Sequence, residues 1–240
     1  MVATKFEYQH RFWMIVVVYA VAYAFYNVDR LNVLYSVVPW NQGVLRQDML
    51  VRFLYGAAAL LAASGAVLIT WAAAYRPLKS NAEPPAFSIG GPFRYVRNPQ
   101  YLSYFLLLLA LGTFQSRLGF PVMLVGETIL LLRLIAREEM LLEAEYGERF
   151  RAYARGVPRL LPALRPRFDA EAQPAHWRQA LWEQAFQWGL VATLVAFACT
   201  LSDRIGYAFA GATMAFFLLQ KLAQMLWMHL RRTGSSGAGA

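Results

Sequence analysis

Residues 53–75 read FLYGAAALLAASGAVLITWAAAY, a run of 23 residues that contains no charged side chain. At a rise of about 1.5 Å per residue, a helix of this length can cross the roughly 30 Å hydrocarbon core of a bilayer. Ala58, Ala62 and Ala66 recur every four residues, which places small side chains on one helix face and favours close helix packing. The run therefore predicts a membrane-spanning helix within a helical bundle.

The chain as a whole has the same apolar character. Hydrophobic residues make up 58% of its 240 residues and charged residues only 15%, a composition too apolar for an ordinary soluble domain. We predict an all-α, polytopic transmembrane helical bundle of about six spans. The predicted spans are Phe12 to Asn27, Phe53 to Tyr75, Tyr101 to Gln115, Leu118 to Ile135, Gln184 to Leu201 and Ile205 to Leu230. Residues 1–183 would form a four-span core, 184–232 two additional helices and 233–240 a disordered tail.

The net charge of +9 is distributed as membrane orientation requires, not as a nucleic-acid-binding surface would show it. With both termini cytoplasmic, 18 of the 23 Lys and Arg residues fall on the cytoplasmic side. We therefore predict an integral membrane protein that binds no nucleic acid. A cleaved signal peptide is the alternative for the first span, because the residues from Ala22 to Ala24 resemble a cleavage site. Cys199 lies within the fifth span and is expected to be a buried packing residue.

The segments between the spans are also informative. Residues 76–98 contain too much Pro and Gly for a continuous helix and predict an irregular loop. After the fourth span the helical pattern continues to a break at Gly147, and a short amphipathic helix is expected from Glu148 to Arg155. Trp177 and Trp182 indicate an interfacial helix over residues 174–183.

Two polar clusters flank the predicted helical hairpin formed by the third and fourth spans. The first is residues 91–101 and the second is residues 137–139. A hairpin returns the chain to the membrane surface that it left, so both clusters should lie at the same surface and form a pocket there.

These clusters carry a resemblance to a known family. Residues 91–102, GPFRYVRNPQYL, resemble the motif G-P-[YF]-R-x-[VT]-R-H-P-x-Y-[LI] of isoprenylcysteine carboxyl methyltransferases and their bacterial relatives. Residues 137–162, REEMLLEAEYGERFRAYARGVPRLLP, are similar to the R-E-E and V-P-x-x-x-P tail of the same family. Together the two motifs and the hairpin cover about residues 90 to 162.

The resemblance implies a methyltransferase of the bacterial inner membrane with a cytoplasmic pocket for S-adenosyl-L-methionine and a lipophilic or small amphipathic acceptor that arrives from the bilayer. It implies a set of cofactor-binding residues: Tyr95, Arg97, Asn98, Pro99, Tyr101, Leu102, Glu138 and Glu139. Arg94, Glu127 and Tyr153 are expected along the substrate path. The residue types fit, because the cofactor needs donors for its carboxylate and acceptors for its ammonium group.

Asn98 stands where the family commonly has His. An amide can donate and accept hydrogen bonds but cannot ionise near neutral pH. Methyl transfer to a carboxylate or thiolate needs no general base, so positioning would supply most of the catalysis and no metal is expected. Glu139 and Arg133 are candidate positioning residues, although Arg133 is more readily explained by a contact with the headgroups. Arg149, Arg151, Arg155 and Arg159 are expected to form a solvated basic face.

Glu127 lies midway along the fourth span, where an unpaired carboxylate is costly. It either pairs with Lys221 or Gln220 on the last span or serves the substrate path, and the sequence favours neither.

The methyl acceptor, its reacting atom and the oligomeric state are also left open, and a homo-oligomer is compatible with the sequence. A membrane reductase that uses NADPH is the alternative enzyme class, because sterol reductases carry a related loop. An inactive membrane scaffold or transporter is the alternative without enzyme activity.

Overall fold

The computed structural model describes residues 2–38, 43–76, 87–169 and 174–236, with side chains described up to residue 226. Within these ranges the regular structure is helical, and an isolated bridge pairs Asn32 with Ser116. The helices are α1 (Lys5–Gln9), α2 (Arg11–Ala24), α3 (Val33–Val37), α4 (Val44–Ala74), α5 (Pro99–Gly112), α6 (Gly119–Gly156), α7 (Trp177–Glu183), α8 (Ala185–Thr200) and α9 (Asp203–Ser236). The prediction of an all-α fold is confirmed for these residues.

Three helices are long and apolar enough to cross a membrane: α4, α6 and the part of α9 from Asp203 to Leu226. They correspond to the second, fourth and sixth predicted spans. The other three predicted spans fall on apolar segments of 10 to 17 residues, which are Arg11–Asn27, Pro99–Gly112 and Ala185–Thr200. The molecule is thus a helical protein with membrane-spanning character.

Helix α4 lies at the centre of the packing, between α5 and α8. Its small residues make this contact close: Ala62 and Ala66 are completely buried, and Ala58 is 6% exposed. The predicted packing face is therefore confirmed. At Gly65 an added Cβ would lie 3.0 Å from the backbone oxygen of Ser103, and the Ser103 hydroxyl donates to the Gly65 carbonyl over 2.7 Å. Small side chains let two helices approach closely enough to bond.

A second helix pair joins α2 to α6. At Gly119 an added Cβ would lie 2.4 Å from the Ala22 carbonyl oxygen, and at Gly126 it would lie 2.9 Å from a methyl carbon of Val18. The turn between α5 and α6 is fixed by Arg117, which forms a two-nitrogen contact with the Asp29 carboxylate at 3.0 to 3.3 Å.

Several details of the chain course differ from the sequence-based expectations. Gly147 breaks the helical backbone as predicted, with φ of 50°, inside the span of α6. Helix α7 begins at Trp177 rather than residue 174. The prediction of a disordered tail is wrong for residues 233–236, where α9 continues, and residues 237–240 lie outside the described residues. Residues 77–86 of the predicted loop at 76–98 also lie outside them.

The expectation that Cys199 is buried is wrong, since this cysteine is exposed near the end of α8. An apolar helix face that has no protein neighbour is compatible with contact to lipid.

Candidate active site

The loop before α5 begins with a turn that requires glycine. Gly91 has φ of +54°, a left-handed conformation that glycine adopts without strain. An added Cβ at Gly91 would also lie 2.5 Å from the ring of Tyr75. The turn at Gly91–Arg94 leads to Asn98, which precedes Pro99 at the first position of α5. Proline is favoured there because this position has no intrahelical N–H bond to lose.

The segment after α6 returns across this loop and holds it by backbone hydrogen bonds. The N–H of Arg97 donates to the Pro158 carbonyl over 2.8 Å. The N–H groups of Ala163 and Arg167 donate to the carbonyls of Tyr95 and Arg94, each over 2.9 Å. The two motif regions are therefore joined along their main chains, which fixes the direction of the side chains between them.

Four side chains contact the carboxylates of Glu138 and Glu139. Asn98 Nδ2 donates to Glu139 Oε1 over 2.9 Å, and Arg97 lies 3.4 Å from the same oxygen. Arg159 contacts Glu139 Oε2 at 2.8 Å, and the Tyr101 hydroxyl donates to Glu138 Oε2 over 2.8 Å. We call the six residues the carboxylate cluster: Arg97, Asn98, Tyr101, Glu138, Glu139 and Arg159.

A cavity of about 1600 Å³ begins at this cluster and extends between α2, α5, α6, α8 and α9. Ligand pockets are commonly about 300–1,000 Å³, so this volume can accommodate two molecules of moderate size. Its walls are largely aromatic and aliphatic. The carboxylate cluster provides polar groups at one end of the cavity.

An aromatic wall adjoins the carboxylate cluster. Phe87, Phe150 and Tyr153 pack together and line the cavity, and Phe87 and Tyr153 meet edge to face with ring centroids 5.1 Å apart. The Tyr153 hydroxyl donates to the Phe93 carbonyl over 2.8 Å. This bond holds the Tyr153 ring against the loop before α5.

The predicted site residues divide into two groups. Seven of them line the cavity: Arg97, Asn98, Tyr101, Glu127, Glu138, Glu139 and Tyr153. The other five, Arg94, Tyr95, Pro99, Leu102 and Arg133, are not part of its lining. Arg94 donates to the Phe168 carbonyl over 2.7 Å instead of facing a substrate path. This bond joins the loop before α5 to the segment after α6.

Arg133 pairs with Glu7 of α1 at 2.8 Å and is not part of the cavity lining. Glu7 also accepts from the N–H of Thr4 over 2.6 Å and so completes a capping arrangement for α1. This backbone bond lowers the pKa of Glu7 most, and Arg133 lowers it further. The pair fastens the N-terminal segment to α6.

Glu127 is 1% exposed, and neither of its oxygens has a hydrogen-bond partner among the described residues. The predicted pairing with Lys221 or Gln220 is wrong. Gln220 donates to the Trp182 carbonyl over 2.7 Å, and Lys221 lies 5.5 Å from the centre of the Phe217 ring.

Several site residues were missed by sequence reasoning. Arg159 was expected on a solvated basic face, but it contacts Glu139, and its carbonyl accepts from Asn98 over 3.2 Å. The other three arginines of that face do not contact Glu139: Arg151 and Arg155 pair with Glu148, and Arg149 lies over the Phe87 ring. Tyr104 and residues from the N-terminal segment also line the cavity. No local pattern distinguishes Arg159, because its role depends on the return of the chain.

Comparison of the chain with models of known families, with curated proteins and with solved structures finds no match.

Proposed function

We propose that the protein is an integral membrane methyltransferase that uses S-adenosyl-L-methionine to methylate a lipophilic or small amphipathic acceptor. The observation that carries the proposal is the meeting of Asn98 and Arg97 with Glu139 at the mouth of a large, mostly apolar cavity. These are the two sequence clusters that resemble the methyltransferase motifs. Their contact supports the expectation that they act as one site.

The groups at this end of the cavity fit the cofactor. Arg97 and Asn98 provide donors suited to the carboxylate of its methionine part, and Glu138 and Glu139 provide acceptors suited to its ammonium group and ribose hydroxyls. The rings of Phe87 and Tyr153 provide flat apolar surface for its adenine. When bound, the cofactor supplies a methyl group on a cationic sulfonium.

The chain would contribute to the reaction by position. Arg97, Asn98 and Arg159 hold the Glu139 carboxylate in place, so that its orientation does not depend on the ligand. Tyr101 orients Glu138 in the same way. The apolar interior beyond the carboxylate cluster would exclude water from the acceptor, which favours displacement at a methyl group. We further propose that the chain crosses the membrane six times, with both termini and this site on the cytoplasmic side.

The test is calorimetric titration of the purified full chain with S-adenosylhomocysteine and, separately, with NADPH. We expect heat from S-adenosylhomocysteine and none from NADPH. Heat from NADPH alone would indicate a reductase instead of a methyltransferase. Binding of neither, with binding of S-adenosylhomocysteine gained in Asn98→His, would favour an inactive scaffold.

Variants then locate the site. Glu139→Ala should weaken S-adenosylhomocysteine about 30-fold or more, and Tyr101→Phe about tenfold, because each removes a bond to a charged group that shapes the site. Glu143→Ala is the matched control, because Glu143 lies on the same helix, pairs with Arg151 and is not part of the cavity lining. Equal affinity in all four proteins would place the cofactor elsewhere. A screen for methyl transfer to lipids, thiols, amines and prenylcysteine mimics would then identify the acceptor class.

A further inference from the structure

Glu127 is a buried carboxyl group that faces a cavity without a partner. It is 1% exposed, it lines the cavity, and neither oxygen accepts or donates a hydrogen bond among the described residues. A polar group taken out of water without compensation destabilises the folded state. A fold retains such a group at low cost only if something else satisfies it.

The surroundings of Glu127 are apolar and partly aromatic. Met123 and Leu131 lie one helical turn to either side of it, on the same face of α6. Met123 packs with Leu108 and Tyr19, and Leu131 packs in the cluster that contains Tyr101. This face of α6 packs toward α2 and α5, which also line the cavity.

The cations that line the cavity lie elsewhere in it. Arg97 contacts Glu139, Arg11 donates to the Tyr8 carbonyl over 3.0 Å, and Lys221 lies over the Phe217 ring. The fourth, Arg76, follows the C-terminal end of α4. None of the cationic side chains in the described part of the lining hydrogen-bonds Glu127. Its position along α6, 11 or 12 residues before Glu138 and Glu139, separates it from the carboxylate cluster by about 16 to 18 Å.

This arrangement selects among ligands by charge. A carboxylate ligand would add a second buried anion beside Glu127. An alcohol would satisfy one of its oxygens. An ammonium group would form a charge-assisted hydrogen bond, which is about twice as strong as a neutral one, and it can also rest against aromatic faces such as that of Tyr19.

We propose that the cavity beside Glu127 is a binding site for a lipophilic primary amine, whose ammonium group pairs with Glu127 while its hydrocarbon chain lies along the apolar lining. Tyr207, Met214 and Phe217 of α9 contribute to that lining, as do Ile15 and Val16 of α2. Helices α8 and α9 would thus form one wall of the amine site. The proposal concerns binding and does not depend on methyl transfer.

The experiment uses the full chain in nanodiscs of zwitterionic lipid and a dodecylamine that carries a photoreactive group in its chain. Unlabelled dodecylamine, dodecanol and dodecanoic acid compete for labelling. We expect the amine to compete at a concentration about tenfold lower than the alcohol, and the acid to compete least. Equal competition by the amine and the alcohol in the unaltered protein would overturn the proposal.

Glu127→Gln has nearly the same shape but cannot carry a charge, so it should abolish the advantage of the amine and leave competition by the alcohol. Glu143→Gln, on the exposed side of the same helix, should change neither. An amine advantage that survives in Glu127→Gln would show that another group is responsible.

Leu108→Trp provides a second test that keeps the carboxyl group and narrows the cavity. It should reduce labelling by the amine about tenfold, and unchanged labelling would place the site elsewhere. Neither variant alters the carboxylate cluster, so titration with S-adenosylhomocysteine distinguishes failure of this proposal from failure of the proposed methyltransferase function.

Discussion

The carboxylate cluster and the cavity around Glu127 place carboxyl groups of the same helix in opposite conditions. Glu139 has Asn98, Arg97 and Arg159 within 2.8 to 3.4 Å, whereas Glu127 has no hydrogen-bond partner among the described residues. The surrounded carboxylate stabilises the fold and is held in place by it. We expect the isolated one to destabilise the fold until a ligand pairs with it. Burial alone therefore does not determine how an acidic side chain affects stability; its hydrogen-bond and ion-pair partners do.

The largest effect should come from removing the surrounded carboxylate. Glu139→Leu leaves Arg97 and Arg159 beside each other without their anion, so we expect a loss of about 3 to 5 kcal/mol in the free energy of unfolding. Thermal unfolding of the purified protein in detergent would show it as a lowered Tm. The conservative Glu139→Gln should recover part of the loss through its bond with Asn98. A Tm unchanged by Glu139→Leu would mean that the cluster contributes nothing to stability.

The next effect concerns the helix contact that carries Glu127. Gly119→Ala would place a Cβ 2.4 Å from the Ala22 backbone oxygen, so α2 and α6 must separate at that point. We expect a loss of about 1 to 3 kcal/mol, measured as a lowered Tm. Gly211→Ala serves as the control, because an added Cβ there meets no atom within 4 Å. A similar Tm for both variants would contradict the close approach of α2 to α6.

Replacing the isolated carboxyl group should have the opposite sign. Glu127→Leu removes a buried polar group that has no bond to lose, so we expect the protein without ligand to gain about 1 to 2 kcal/mol. The check is a Tm equal to or above that of the unaltered protein, in the absence of added amines. A Tm several degrees lower would reveal a stabilising partner for Glu127.

The smallest effect should come from the ion pair at the opposite end of the α5–α6 hairpin. The Arg117 guanidinium holds the pKa of Asp29 below its usual range. A carboxyl group with a lowered pKa stabilises the folded state above its unfolded pKa, and this contribution disappears as the pH falls through the folded pKa. The Tm difference between the unaltered protein and Asp29→Asn should therefore be positive at neutral pH and should shrink toward pH 3. Because Arg117 is about half exposed, the difference should also fall with added salt. A difference independent of pH would rule out this ion pair as its source.

Much of the helical framework follows from the sequence by local rules. All but the last residue of the uncharged run at residues 53–75 lies within α4, and the break at Gly147 is where the backbone departs from helical geometry. Residues 137–139 meet residues 97–101 because a helical hairpin returns the chain to its starting surface. Apolar length and turn residues determine such features, and both are visible along the chain.

The partners of individual side chains were predicted less well. Arg133 pairs with Glu7, 126 positions away, and Arg159 leaves the expected basic face to contact Glu139. Neither pairing leaves a local signal, since any arginine near a helix end can contact lipid, water or a distant carboxylate. Two roles for Glu127 were equally consistent with the sequence. Only the folded structure shows that Glu127 does not pair with Lys221 or Gln220.

The helical class, the apolar spans and the two polar clusters follow from the sequence alone, because helix length and hydrophobicity depend on neighbouring residues. Only the folded chain shows that Glu139 is surrounded, that Glu127 has no hydrogen-bond partner among the described residues, and that α9 lines the cavity that both share. Those outcomes depend on which distant groups arrive at the same place, and the free energy of a buried charge is determined by the groups around it.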